Sequence, residues 1–161
     1  VDGRPLIDHA IDRLRDVGVS TIVVNLHYKA DVLETYLSDR SDVEIIFSDE
    51  RGQILDTGGG IVRALPHFGE DPFWTHNCDT IWLESATQNL QVMADVWDPA
   101  HMDGLMLLAD REGSLGYDGA GDFFLNADQQ LARRASAPTA PYVWAGVQII
   151  KPSAFIDAPQ G

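Results

Sequence analysis

A polar cluster, Asn77-Cys78-Asp79, directly follows the strand-like stretch at residues 71–76 and is the first group able to do chemistry. In open α/β sheets, ligands bind beyond the carboxyl ends of the strands, so a polar cluster at this place lies where a site is built. The carboxylate of Asp79 could bind Mg²⁺, which needs only one or two protein carboxylates when substrate phosphates supply further oxygens. The alternative is that Asp79 caps the next turn or helix, as Asp often does after a strand.

A run of three glycines in the segment LDTGGGIVRAL, residues 55–65, is a second candidate. Glycine lets the backbone approach a ligand closely, and the N-terminus of a helix behind it attracts anions. The glycines are contiguous and no Lys-Ser/Thr pair follows, so neither the dinucleotide fingerprint nor the P-loop is present. The segment predicts a nucleotide-binding loop or, equally, a flexible loop that runs from a strand into a short helix.

The segment GAGDFF supplies a third candidate, because the carboxylate of Asp122 could accept hydrogen bonds from sugar hydroxyls. The alternative is an ordinary turn.

The five histidines show no metal-ligand spacing, so no zinc site is predicted. Cys78, the one cysteine, has no base partner that the sequence identifies, which favours a small packed thiol over a nucleophile.

The size and charge of the chain limit the class of protein. With 161 residues and 45% hydrophobic content, residues 1–161 fit a single domain. The net charge of −14 argues against partners such as duplex nucleic acid or an anionic membrane surface. A lone cysteine cannot form an intramolecular disulfide, and the sequence shows no secretory signal and no apolar run of about 18 residues, so we expect a soluble cytoplasmic protein.

The pattern of apolar residues predicts alternating helices and strands. Helical spacing appears at residues 6–17, 30–40 and 87–97, and short apolar, β-rich runs appear at residues 20–25, 43–48, 71–77, 104–110 and 142–150. This alternation predicts a layered α/β fold with one mostly parallel sheet. Residues 111–134 are rich in Gly and Asp and predict a small antiparallel hairpin that departs from the sheet.

Taken in order, several segments resemble those of the sugar-phosphate nucleotidyltransferases. Residues 3–28 resemble the stretch after the family's signature loop, residues 48–69 its base-binding loop, and residues 72–82 its strand ending in Asn-Gly-Asp. GDFF at residues 121–124 and YVWAGVQIIKPSAF at residues 142–155 resemble its sugar-contacting segments. The chain looks most like the N-acetylmuramate α-1-phosphate uridylyltransferase branch, with the mannose-1-phosphate guanylyltransferases next.

This resemblance implies a three-layer, Rossmann-like fold of the GT-A type and a set of site residues. Asp79 would be the catalytic Mg²⁺ ligand, and Asn77 would lie beside the nucleotide or the sugar phosphate. The remaining substrate-binding residues would be Asp56, Thr57 and Gly58 along the base, with Gly121 and Asp122 near the sugar. Cys78 stands where the family has glycine. The family's signature loop should precede Val1 and its second metal-binding Asp should follow Gly161, so we expect this piece to be inactive when isolated.

The implied reaction transfers a nucleoside monophosphate from an NTP, with UTP favoured, to a sugar 1-phosphate and releases pyrophosphate. The expected partners are the NTP and the sugar 1-phosphate, with no nucleic acid or membrane, and the sequence leaves the oligomeric state open. The muramate branch implies a role in cell-wall recycling. Two alternatives remain open. A GT-A type glycosyltransferase could use the Asn-x-Asp cluster to hold a nucleotide-sugar through a metal, and a non-catalytic domain could bind the nucleotide-sugar alone.

Overall fold

A computed structural model describes residues 1–52, 55–84 and 86–158 of the chain. Residues 53 and 54 of the predicted base-binding loop, and the last three residues of the predicted domain, lie outside this part. The helices are Leu6–Asp16 (α1), Ala30–Ser38 (α2), Thr57–Ala64 (α3) and Asn89–Val96 (α4). The strands are Thr21–Leu26 (β1), Glu44–Asp49 (β2), Phe73–His76 (β3), Gly104–Asp110 (β4), Phe123–Leu125 (β5), Leu131–Arg133 (β6) and Tyr142–Ile150 (β7). Short 3₁₀ helices span Leu65–His67 and Pro152–Phe155.

The described strands form two sheets. β1 and β2 pair in parallel, with Thr21 opposite Glu44. β7 pairs antiparallel with β3, β4 and β5, and β5 pairs with β6 as the predicted hairpin. The α/β class is therefore confirmed, but the strand pairing is mixed instead of mostly parallel. The nine-residue β7 is the reason, because three other strands align against it in the opposite direction.

The two sheets are separated by a cavity of about 890 Å³, which we call the first cavity. β1 contributes Thr21 and Val23 to its lining, and β3 contributes Trp74 and His76. The amide of Glu44 bonds the carbonyl of Ser20, so the even-numbered residues of β1 point their backbone groups at β2. Backbone direction alternates along a strand, so the odd-numbered residues of β1 present to the cavity N–H and C=O groups that pair with no other described strand.

Helix α1 packs against both sheets. Ile11 is 2% exposed and packs in one core with Val24 and Leu26 of β1. Leu14, one turn further along, belongs to a second core with Leu90 of α4 and Val147 of β7. The helical spacing predicted from the sequence places these two side chains on the same face of α1.

An ion-pair network fixes the outer side of α1. The guanidinium of Arg40 contacts Asp8 at 2.9 Å and Asp12 at 2.7 Å, both on α1, and Asp42 at 2.8 Å. Hydrogen bonds from Arg40 and Arg15 lower the pKa of Asp42 to about 2.

Within the described part of the chain, no helix combines the length and apolarity that crossing a bilayer requires.

Acid should weaken the fold through Asp42. Because its folded pKa lies at about 2, below the ordinary value of 3.8, the stabilisation is complete above about pH 4 and is lost as the pH falls toward 2. We expect Asp42→Asn to lower the urea midpoint at pH 7. We also expect the midpoint of this variant to decrease less between pH 4 and pH 2 than that of the wild type. Asp39→Asn, at the nearby end of α2, is the control. Parallel midpoint curves for the wild type and Asp42→Asn would contradict this assignment.

Amide exchange should distinguish the two edges of β1. The N–H groups of Val24 and Leu26 bond β2, whereas those of Val23 and Asn25 face the first cavity. At a concentration where the chain is monomeric, we expect the second pair to exchange at least about tenfold faster, as hydrogen-exchange NMR would measure. Equal protection of the two pairs would mean that the edge facing the cavity is bonded.

Candidate active site

The Asn77-Cys78-Asp79 cluster begins the loop that joins β3 to α4. The backbone N–H of Asn77 donates to the carbonyl of Gly146 in β7 at 2.8 Å. Gly146 has a φ of +80°, and a Cβ at this position would lie 3.0 Å from the Cβ of Asn77. Gly146 is therefore required for the close approach that fixes Asn77. Sequence reasoning missed it, although a glycine inside an otherwise apolar strand is a signal of such an approach.

The carboxylate of Asp79 is exposed, and the described residues offer it no hydrogen bond, so it does not act as a cap within this part of the chain. Asp79 lines a second cavity of about 430 Å³ together with Asn77 and Thr57. Asn77 and Thr57 also line the first cavity. The two cavities therefore meet at these residues, at this end of the strands. The structure thus brings these three predicted residues together.

The three glycines lie inside a helix instead of the predicted loop. Asp56 has an extended backbone, and its Oδ1 accepts a hydrogen bond from the N–H of Gly59 at 2.9 Å. This N-cap starts α3 at Thr57 and explains the difference, because the side chain satisfies an amide that the helix itself leaves free. The N–H groups of Thr57 and Gly58 have no partner within the helix. Asp56 lines the first cavity, whereas Gly58 does not line either cavity.

A part-buried polar contact joins α3 to the carboxyl ends of β1 and β2. Asn25 donates through Nδ2 to Oε1 of Glu50 at 2.5 Å and to the carbonyl of Gly60 at 3.3 Å. Glu50 is only 4% exposed. A Cβ on Gly60 would come within 3.2 Å of both side chains, so this glycine allows α3 to approach the strands. These residues were not predicted as site residues, and their pairing is not visible in the sequence.

Gly121 and Asp122 lie apart from the other predicted residues, since neither lines the two cavities. Oδ2 of Asp122 accepts a hydrogen bond from the backbone N–H of Trp144 at 3.0 Å. The carbonyl of Gly121 accepts one from Nε of Arg134 at 2.8 Å. Both residues thus make contacts that hold the base of the hairpin, and their predicted role near a sugar stays a prediction.

The chemistry of the site disfavours a thiol nucleophile and fits a cation that is shared with a bound substrate. Cys78 is exposed instead of packed, so the expectation of a packed thiol is wrong. Desolvation of the sulfur and the charge of Asp79 raise the pKa of the thiol, which opposes formation of a thiolate. The described residues contain no cluster of three or more His, Cys, Asp or Glu side chains that could hold a metal ion. Asp79, as a single exposed carboxylate, suits Mg²⁺ only if substrate phosphates supply other ligands, which is a usual arrangement for this ion.

The requirement for glycine at position 121 can be tested by substitution. Gly121 has a φ of +82°, and a Cβ there would lie 2.1 Å from the backbone oxygen of Ala140. Gly116 has a φ of +77° with open space around it, so Gly116→Ala isolates the cost of the backbone conformation, about 1–2 kcal/mol. We expect Gly121→Ala to cost at least about 2 kcal/mol more in urea unfolding. Equal losses for the two variants would contradict the clash.

With the site described, comparison with known proteins identifies the family. Residues 1–114 match the MobA-like NTP transferase domain. The N-acetylmuramate alpha-1-phosphate uridylyltransferase of Caulobacter vibrioides is 44% identical over 165 residues, which cover 100% of this chain and 68% of that protein. The protein of the same name from Neisseria meningitidis serogroup B is 30% identical, over 96% of this chain and 65% of its own length. The chain thus spans about two thirds of these relatives.

A solved structure adds support for the fold. The inositol-1-phosphate CTP transferase from T. maritima matches with a TM-score of 0.72 at 17% identity, over 99% of this chain and 63% of that one. At this level of identity the likeness shows the fold alone. The family match and the 44% identical relative confirm the resemblance drawn from the sequence. The chain belongs to the MobA-like NTP transferase domain family, among the sugar-phosphate nucleotidyltransferases.

Proposed function

We propose that the protein transfers UMP from UTP to a sugar 1-phosphate, giving a UDP-sugar and pyrophosphate. The observation that carries the proposal is the meeting of Asp56, Thr57, Asn77 and Asp79 at one end of the strands, around two connected cavities. The carboxylate of Asp79 enters this arrangement without a hydrogen bond from any described residue. An acidic group that the fold leaves unused is available for a ligand.

In this proposal each substrate occupies one of the two cavities. α3 begins at the wall of the first cavity, and the N–H group of Thr57, which has no partner among the described residues, can donate to a carbonyl of a base. Asn77, which lines both cavities, can donate from its amide to a phosphate oxygen between them. Gly146 holds the backbone of Asn77 in place, so the point from which this side chain extends is fixed before a ligand binds.

Asp79 is the proposed catalytic residue. In a transfer of this kind the sugar phosphate oxygen attacks the α-phosphorus of the NTP in line, and pyrophosphate leaves, so positioning and charge neutralisation matter more than a protein nucleophile. Asp79 would hold a Mg²⁺ ion, whose charge would help to neutralise the phosphate oxygens. The residues of the chain orient the two phosphates, and the protonated Cys78 takes no part in bond formation.

The names of the relatives support a finer proposal for the substrates. The 44% identical protein is named for N-acetylmuramate α-1-phosphate and uridylyl transfer, so we propose these substrates for this protein and, with them, a role in cell-wall recycling. We further propose a cytoplasmic location, which agrees with an exposed, unpaired Cys78 that a reducing compartment keeps as a thiol.

Replacement of Asp79 tests the proposal. In the full-length protein, with UTP, Mg²⁺ and N-acetylmuramate 1-phosphate, we expect Asp79→Asn to lower kcat by at least about 100-fold, because the neutral amide no longer binds the cation strongly. Pyrophosphate release measures the reaction, and GTP and CTP serve as competing nucleotides. Circular dichroism and the Tm should stay close to the wild type, since Asp79 makes no hydrogen bond to the described residues.

Asp128→Asn is the matched control. Asp128 lies exposed in the turn between β5 and β6, far along the chain from the loop, and the same change of charge there should leave kcat within about twofold. If Asp79→Asn keeps more than about a tenth of the wild-type kcat, the assignment of Asp79 is wrong. Faster turnover with GTP than with UTP would overturn the proposed nucleotide and leave the transfer reaction in place.

A further inference from the structure

One side chain of α1 contacts the loop that carries Asp79, at residues that follow Asp79 in the chain. Arg13 donates through Nη2 to the carbonyl of Trp82 at 2.7 Å. Its guanidinium carbon lies 4.1 Å from the centroid of the Trp82 ring, so the same group also makes a cation–π contact. Nε of Arg13 lies 3.6 Å from Oε1 of Glu84. Three different contacts from one guanidinium therefore reach two residues of the loop.

Glu84 connects these contacts to α4. Its Oε1 accepts a hydrogen bond from Nε1 of Trp82 at 2.7 Å, and its Oε2 accepts one from the backbone N–H of Asn89 at 2.9 Å. Asn89 is the first residue of α4, so the carboxylate satisfies one of the amides that a helix leaves free at its N-terminus. Arg13, Trp82 and Glu84, which we call the clasp, thus connect α1, the loop and α4.

The near end of the loop touches the same tryptophan. The ring of His76 stacks on the Trp82 ring with centroids 5.5 Å apart and an angle of 18° between the planes. Nδ1 of His76 donates to the carbonyl of Asn77 at 2.7 Å. The loop therefore leaves β3 beside Trp82 and returns to it, with Asp79 between the two contacts. Movement of Trp82 would change the path of both ends.

We propose that Arg13 is a positioning residue that, through the clasp, sets where the carboxylate of Asp79 stands in the site. This inference rests on the proposed function of Asp79. Arg13 has only 18% of its side chain exposed, so its contacts are shielded from water and are stronger than those of a surface ion pair. Lysine cannot replace it, because an ammonium group lacks the planar fork that bonds the carbonyl while stacking on the ring.

Cys78 makes the proposal testable without any assay of turnover. It is the one cysteine of residues 1–161, it is exposed, and it lies directly before Asp79, so a cysteine elsewhere in the full-length protein is replaced by serine before labelling. A nitroxide label on Cys78 reports the mobility of the loop by EPR, and its reaction rate with a disulfide reagent reports access to the thiol. We expect Arg13→Met to shift the label to a mobile spectrum and to raise the reaction rate at least fivefold. Arg13→Lys should give a smaller change in the same direction.

Arg15→Met is the control on the same helix. Arg15 pairs with Asp42 at 2.9 Å and Asp16 at 3.1 Å on the outer side of α1, so the substitution removes the same charge without touching the clasp. Its Cys78 label should keep the wild-type spectrum. An unchanged spectrum in Arg13→Met, at a temperature where the variant is folded, would overturn the proposal. So would an equal change in Arg15→Met, which would mean a general loss of stability.

Turnover of the unlabelled, full-length variants completes the test. We expect Arg13→Met to lower kcat at least tenfold with less than a threefold change in the KM for UTP, because Asp79 is displaced while the base contacts near α3 are kept. A mobile loop with unchanged kcat would overturn the positioning role. Failure of the proposed function is a separate result, since it would appear as normal turnover in Asp79→Asn whatever the Cys78 label shows.

Discussion

The loop between β3 and α4 is fixed before and after Asp79, and this constraint decides where Asp79 lies. At the near end the N–H of Asn77 bonds the carbonyl of Gly146, and the missing side chain of that glycine allows the approach. At the far end the guanidinium of Arg13 holds Trp82 by its carbonyl and its ring. Between these points the carboxylate of Asp79 forms no hydrogen bond with the described residues and faces the second cavity. The fold thus positions an acidic group without using it.

Local sequence patterns predicted much of the fold and part of the site. The spacing of Ile7, Ile11 and Leu14 predicted α1, and the polar cluster after an apolar strand located Asn77 and Asp79 at a strand end. Contacts between distant residues could not be read in the same way, because their partners are set by the packing of whole elements. Arg13 and Trp82 are 69 positions apart, and nothing in either neighbourhood indicates the other.

Strand pairing and the glycine run were also beyond local patterns. An apolar strand shows that it is buried but not which strand lies beside it or in which direction, so the antiparallel partners of β7 were not foreseen. The three glycines read as a loop because glycine is a poor helix former, yet the cap supplied by Asp56 and the close packing of Gly60 against Asn25 favour a helix.

The charge of the chain fits this way of holding an anionic ligand. Several arginines are engaged with carboxylates of the fold itself, Arg40 with Asp8 and Asp12 and Arg51 with Asp49, and are not directed at the cavities. Helix amides and a cation can hold phosphate where such side chains are occupied.

The most direct test is a crystal structure of the full-length protein with Mn²⁺ and a non-hydrolysable UTP analogue. The proposed role predicts an anomalous peak within about 2.5 Å of an Asp79 carboxylate oxygen and of a phosphate oxygen. A peak that is bound to phosphate but held by other carboxylates, with Asp79 facing solvent, would contradict it.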